Sequence, residues 1–180
     1  MQKLLYDEQT VNDSIHALAA KVIDQYAGKN PLFICLLRGG APFATKLMFE
    51  IAKIDPDFHP EMDYLTIGAY GDKREGGTPE LINDLTAGTE TAGRHAVLID
   101  DTLDKGITAA FAEDYLKDTH HVAAVDLIVL VEKNNQRERF DKATMSCFSA
   151  GPEWLTGMGL DDTATAKEAH RWANTISIVE

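Results

Sequence analysis

The chain has 180 residues, 44% of them hydrophobic, enough for one domain with a proper buried core. Its 17 basic and 29 acidic residues give a net charge of −12, a field that repels polyanions and, with no basic run to offset it, excludes nucleic acid as an expected partner. Met1 to Tyr6 lacks the basic and apolar regions of a signal peptide and no apolar run approaches a bilayer span, so a cytoplasmic protein with no membrane partner is expected.

Apolar residues at Val11, Ile15, Leu18, Val22 and Tyr26 follow a three-to-four spacing, which predicts an amphipathic helix with Thr10 as N-cap and Gly28 as its stop. Pro31 to Leu37 is fully apolar, as a strand covered on both faces is. It ends in Arg38-Gly39-Gly40, before a helix that starts at Ala41 with Pro42 in its first turn. The amides of this loop, with Arg38, could hold an anion, although Arg-Gly-Gly reads equally as an ordinary turn. Ile54 to Pro60 reads as a loop, and Met62 to Tyr70 as an alternating strand with Leu65, Ile67 and Ala69 on one face. Gly71 to Thr89, polar and glycine-rich around Gly76-Gly77-Thr78-Pro79, is expected to be irregular: a lid or a disordered segment. Cys35 and Cys147 lie in separate apolar runs without a second Cys or a His at ligand spacing, so buried free thiols are expected.

Ala96 to Ile99 forms the next buried strand, and Asp100 and Asp101 follow at its carboxyl edge. The loop Asp104-Lys105-Gly106-Ile107-Thr108 then runs into a helical pattern from Ile107 to Lys117. First-turn N–H groups lack intrahelical partners and, with the helix dipole, attract an anion. Gly106 permits close backbone approach and Thr108 adds a hydroxyl. An anion site with acids just upstream suits a ligand that carries a phosphate and vicinal hydroxyls, such as a ribose 5-phosphate. The acids accept from the hydroxyls and hold Mg²⁺, while the loop holds the phosphate. The bland alternative is that these side chains only cap the next helix.

His121 to Val131 is a further apolar strand whose one charge is Asp126. His120 and His121 would point to opposite sides of a strand with no third ligand near, so they read as a solvated loop pair rather than metal ligands. Taken alone, Lys133 and Arg137 read as solvent-exposed charges at a strand end, and Trp154 as a packed aromatic. Thr144 to Phe148 and Ile176 to Val179 are strand-like, with a short helix expected over Ala164 to Trp172.

VLIDDTLDKGIT, Val97 to Thr108, resembles the phosphoribosyl pyrophosphate binding motif of type I phosphoribosyltransferases, with Lys105 where that family usually has Thr. LLRGGAPFA resembles the family's pyrophosphate loop, with Arg38 replacing a usual Lys. Ala69-Tyr70 stands where a Ser-Tyr pair opens the family's mobile lid, and Trp154 to Asp161 resembles its aromatic, apolar pair followed by Leu-Asp. Lys133 and Arg137 match the spacing of its 6-oxopurine members.

The resemblance implies an α/β fold: a twisted, mainly parallel sheet flanked by helices, in a single domain over 1–180 with a small hood built from both chain ends, about 1–10 and 150–180. It implies Mg²⁺-dependent transfer of 5-phosphoribosyl from phosphoribosyl pyrophosphate to hypoxanthine or guanine. The products are a purine nucleoside monophosphate and pyrophosphate, and the expected assembly is a homo-oligomer, dimer or tetramer. By the same resemblance Asp104 is the general acid/base at purine N7, while Asp100 and Asp101 bind the ribose hydroxyls and, with Asp161, Mg²⁺. Lys105, Gly106, Ile107 and Thr108 take the 5-phosphate; Arg38, Gly39, Tyr70 and Arg137 take the pyrophosphate. Trp154 stacks on the base, the Leu155 backbone reads its edge, and Lys133 donates to the oxygen at C6, because an amino group there would set donor against donor. The rival readings are a phosphoribosyltransferase for another base such as xanthine, or a nucleotide-sensing regulatory protein on the same fold.

Overall fold

The computed structural model describes residues 2–70, 77–137, 139–162, 164–166 and 168–179, with Ala69 and Tyr70 described by their backbone alone. Along the chain run β1 (Gln2–Tyr6), α1 (Glu8–Tyr26), β2 (Leu32–Leu37), α2 (Gly40–Ile54), β3 (Glu61–Tyr70), β4 (Thr78–Asn83), β5 (His95–Leu103), α3 (Ile107–His120), β6 (Ala124–Lys133), β7 (Met145–Ala150), β8 (Leu155–Thr156) and β9 (Ile176–Val179).

The fully apolar strands are those covered on both faces. In β2, Phe33 and Cys35 face the core shared with α1 and α2, while Leu32, Ile34 and Leu36 face the core shared with α3. Val97 and Ile99 of β5 and Ile128 and Leu130 of β6 join the first core; Ala96 and Leu98, and Leu127 and Val129, join the second. The sheet order is β4-β3-β2-β5-β6-β7, parallel throughout except for β4 at one edge. After β2 the chain crosses through α2 outward to β3; after β5 it crosses through α3 outward to β6 on the other side. The two crossovers therefore diverge between the carboxyl ends of β2 and β5, the place where open α/β sheets bind ligands.

A second, three-stranded antiparallel sheet, β1-β9-β8, joins the two ends of the chain. It reaches the divergence point through Gly159, where a side chain would overlap the Gly39 carbonyl oxygen and press on Asp101. No helix among the described residues is long and apolar enough to cross a membrane.

Several boundaries differ from the sequence expectation for local reasons. The cap of α1 is Asp7, which accepts from the Thr10 N–H at 2.9 Å, so Thr10 lies inside the first turn and the helix stops at Ala27 rather than Gly28. About a third of the supposed irregular stretch from Gly71 is the edge strand β4, whose Pro79 and Leu81 turn toward the protein between exposed neighbours; residues 71–76 lie outside the described set. Pro79 is tolerated because an edge position needs no second ladder partner. β5 runs on to Leu103, since Thr102 and Leu103 pair with Val131 and Glu132, so both acids stand within the strand rather than after it. His120 closes α3 with its ring 2.8 Å from Asp84 and edge-on to Tyr115, and His121 is the left-handed cap; neither is a loop residue in the expected sense. The segment expected as a helix after Ala164 is a series of turns among its described residues. Cys35 and Cys147 are free, and burial pushes both thiols up to about 12, which leaves them unreactive near neutral pH.

Candidate active site

The loop from β5 to α3 is built to present bare amides. Gly106 precedes the helix at φ 78°, in the left-handed region, and a side chain there would overlap the Arg139 carbonyl oxygen. No side chain caps α3, so the reading in which the neighbouring acids merely cap the helix does not hold. The Ala110 N–H closes on the Gly106 carbonyl at 2.9 Å, which leaves the N–H groups of the first turn, at Ile107 and Thr108, for an external acceptor. Asp100, Asp104, Lys105, Gly106, Ile107 and Thr108 all line one cavity of about 270 Å³.

Asp100 and Asp101 form a tight acid pair, with Asp100 Oδ1 accepting from the Asp101 N–H at 2.9 Å. Desolvation, then the charge of Asp101, holds the Asp100 carboxyl well above the usual range; desolvation raises Asp101 as well, against the pull of Arg171. Arg171 carried no sequence signal. It lies in a polar stretch of the tail, and only the return of that tail places it here, buried, donating to the Gly159 carbonyl at 2.5 Å and to the Asp161 carboxylate. The donor set fits Mg²⁺: hard carboxylate oxygens at Asp100, Asp101 and Asp161, two of them costly to ionise without a cation nearby. Among the described residues no group of three or more His, Cys, Asp or Glu side chains forms a metal cage. Mg²⁺ commonly takes one or two carboxylates and completes its shell from water and substrate phosphates.

A second cavity of about 150 Å³ adjoins the first and shares Asp101, Thr102, Asp104 and Trp154 with it. Lys133 is buried here rather than solvent-exposed, with Nζ 3.2 Å from Asp104 Oδ2 and 5.8 Å from the centre of the Trp154 ring. Asn135 Nδ2 donates to the other carboxylate oxygen, Asp104 Oδ1. Trp154 is 41% exposed instead of packed in the core, fixed by its Nε1 donating to the Asp161 carbonyl at 3.1 Å, so a ring face is available for stacking. Leu155, next in β8, is buried.

One of the expected pyrophosphate contacts stands differently. Arg137 is turned inward: Nε donates to the Asp104 carbonyl at 2.9 Å, Nη1 to the Asp141 carbonyl at 2.6 Å and Glu132 Oε1 at 3.2 Å, and Nη2 to the carbonyls of Lys133 and Leu103. All five guanidinium donors are used, so this residue ties the end of β6 to the phosphate loop and has none left for an anion. Tyr70 ends β3, and its side chain lies outside the described set. Arg38 is exposed, with Nη1 2.7 Å from Glu168 Oε1, and is joined to the preceding Leu37 by a cis peptide, while Gly39 faces the Asp101 carboxylate.

Residues 1–163 match the phosphoribosyl transferase domain. The chain belongs to that family. It is 30% identical over 162 residues to the hypoxanthine-guanine phosphoribosyltransferase of Streptococcus pneumoniae (strain ATCC BAA-255 / R6), across 89% of this chain and 86% of that one. The enzyme of the same name from Streptococcus thermophilus (strain CNRZ 1066) is 29% identical with the same coverage. The fold of this phosphoribosyl transferase domain is similar to a crystal structure of a hypoxanthine phosphoribosyltransferase from Staphylococcus aureus, with a TM-score of 0.84 and 24% identity over 99% of this chain and 91% of that one. The crevice of this phosphoribosyltransferase is thus the meeting of bare loop amides, an acid pair and an aromatic-lysine pocket.

Proposed function

We propose that the chain transfers the 5-phosphoribosyl group of phosphoribosyl pyrophosphate to a 6-oxopurine, hypoxanthine or guanine, releasing pyrophosphate in purine salvage. One observation carries this reading: Asp104, Lys133 and Trp154 converge on a cavity that shares Asp101, Thr102, Asp104 and Trp154 with the phosphate cavity, so a purine held by the first lies beside a sugar held by the second.

The loop amides at Gly106, Ile107 and Thr108 fix the 5-phosphate, and Asp100 and Asp101 accept from the ribose hydroxyls. Asp100, Asp101 and Asp161, together with substrate oxygens, would hold Mg²⁺, which would supply positive charge near the departing pyrophosphate. Arg38, in the loop after β2, adds positive charge for the same group. Because charge develops at the anomeric carbon as the leaving group departs, the protein's contribution is positioning and electrostatics. Lys133 and Asp104 pair with one another in the ligand-free site at 3.2 Å. An arriving 6-oxopurine offers each a hydrogen-bonding partner, its C6 oxygen to Lys133 and an N7 proton to Asp104, so neither group is left without a hydrogen bond when the pair separates. Adenine brings an amino group to Lys133 and leaves a buried cation facing a donor.

Pyrophosphate release, measured with Mg²⁺, phosphoribosyl pyrophosphate and each of hypoxanthine, guanine, xanthine and adenine, tests the reading. Release with hypoxanthine or guanine and none with adenine is expected. Release with adenine or xanthine alone would move the assignment to another base, and no release with any base would overturn it.

A further inference from the structure

Glu168 stands where an anion belongs. Its Oε1 is 2.7 Å from Arg38 Nη1, and its Oε2 accepts from Arg171 Nε at 2.5 Å. Arg171 in turn reaches Asp161, next to the acid pair. One carboxylate therefore bridges the glycine loop after β2 and the buried cation of the hood. The contact is imperfect: Oε1 is buried yet makes no hydrogen bond, since Arg38 meets it off the donor axis, and Glu168 is held at φ +67°, a left-handed conformation unfavourable to any residue with a side chain.

We propose that Glu168 is an internal competitor for the diphosphate, its carboxylate occupying the seat between Arg38 and Arg171 that the pyrophosphoryl group takes. The inference rests on the reading of Arg38 given above. A carboxylate offers one charge and two oxygens; a diphosphate offers several of each and satisfies both guanidinium groups with better-aligned bonds. With Glu168 left in place the incoming polyanion would meet a like charge, so binding requires this side chain to withdraw. Its ion pairs thereby subtract from the affinity for the ligand, and Glu168 sets that affinity without touching the reacting atoms.

Glu168→Gln keeps the shape of the side chain and removes its charge. Calorimetric titration of the full chain with Mg²⁺ and pyrophosphate, together with KM for phosphoribosyl pyrophosphate, should show both tighter by about fivefold, the scale of two partly exposed ion pairs, with KM for the base unchanged. Glu168→Ala should move both in the same direction. Unchanged or weaker binding in both variants overturns the proposal, because Glu168 then either contributes nothing or holds the arginines in their working positions. Arg38→Gln separates this failure from failure of the underlying reading. If that variant loses pyrophosphate affinity while Glu168→Gln is silent, only the competitor idea falls; if it loses none, the seat itself is misassigned.

Discussion

Gly159→Ala is the substitution that most directly tests how the hood meets the crevice. An alanine Cβ would overlap the Gly39 carbonyl oxygen and stand 3.0 Å from Asp101 Cβ, at a backbone φ of 111°. The conformation alone costs about 1–2 kcal/mol for a residue with a side chain. Restoring ordinary contact distances needs a shift of about 1 Å in the hood or the loop, adding about 1–3 kcal/mol. A total near 3 kcal/mol predicts a Tm lowered by about 6–12 °C in a chain of this size. Gly88→Ala isolates the first contribution, because Gly88 has φ +99° but nothing within 4 Å of the added Cβ. Thermal unfolding of both variants by circular dichroism, with initial rates at varied phosphoribosyl pyrophosphate, decides the matter. The Gly159 variant should lose clearly more stability than the Gly88 variant. It should also raise KM for phosphoribosyl pyrophosphate by about tenfold, since displacement of this order at a binding group is costly. Equal shifts in Tm, or an unchanged KM, would show that the hood does not bear on the glycine loop as described.

Asp104→Asn should lower kcat by about a hundredfold or more while leaving KM for phosphoribosyl pyrophosphate little changed, the scale of a lost general acid/base; steady-state kinetics would exclude this role if kcat held. Arg137→Lys cannot supply five donors in one plane, so Tm should fall and kcat drop together, with no selective loss of pyrophosphate affinity by calorimetry; a loss confined to pyrophosphate would return Arg137 to the anion site. Burial, against the pull of Arg171, raises the Asp101 carboxyl to about 6, so the folded chain holds a proton that the unfolded chain gives up. The associated stability is full below the ordinary carboxylate range and is lost as pH rises to about 6; Asp101→Asn should flatten the Tm-against-pH curve of the ligand-free protein between about pH 4 and 6, and an unaltered slope would contradict this. Asp63 presents the opposite sign: burial pushes its carboxyl up, but bonds from the Thr89 and Thr86 hydroxyls and the Tyr64 and Thr86 amides outweigh it and leave it below the usual range. Its contribution is present above the ordinary carboxylate range and lost as pH falls through the depressed value. Asp63→Ala should cost about 3 kcal/mol in urea unfolding at neutral pH, and a cost below about 1 kcal/mol would mean that the loop after β4 is anchored elsewhere.

The strands, the phosphate loop and the acid pair were legible along the chain because their chemistry is local. A strand buried on both faces must be apolar at every position, as Phe33 to Leu36 and Ala96 to Ile99 are. A bare helix start needs a residue such as Gly106 at its own position, and adjacent acids announce themselves. Side chains whose meaning depends on a distant partner were not legible. Arg137 looked like a free cation until its carbonyl partners at Leu103, Asp104 and Asp141 were assembled around it. β4 was hidden because an edge strand buries only alternate residues, weakly, at Pro79 and Leu81.

The order of motifs from Arg38 to Asp161 is a property of the sequence alone, and with it the family, the crevice and the class of ligand. The tertiary structure alone decided which groups share that crevice. The hood returns to the sheet over long sequence separations, and that return sets Arg171 against the acids and Glu168 against Arg38. No periodicity or spacing encodes such contacts, because they arise from packing between elements and not from the geometry of any one of them.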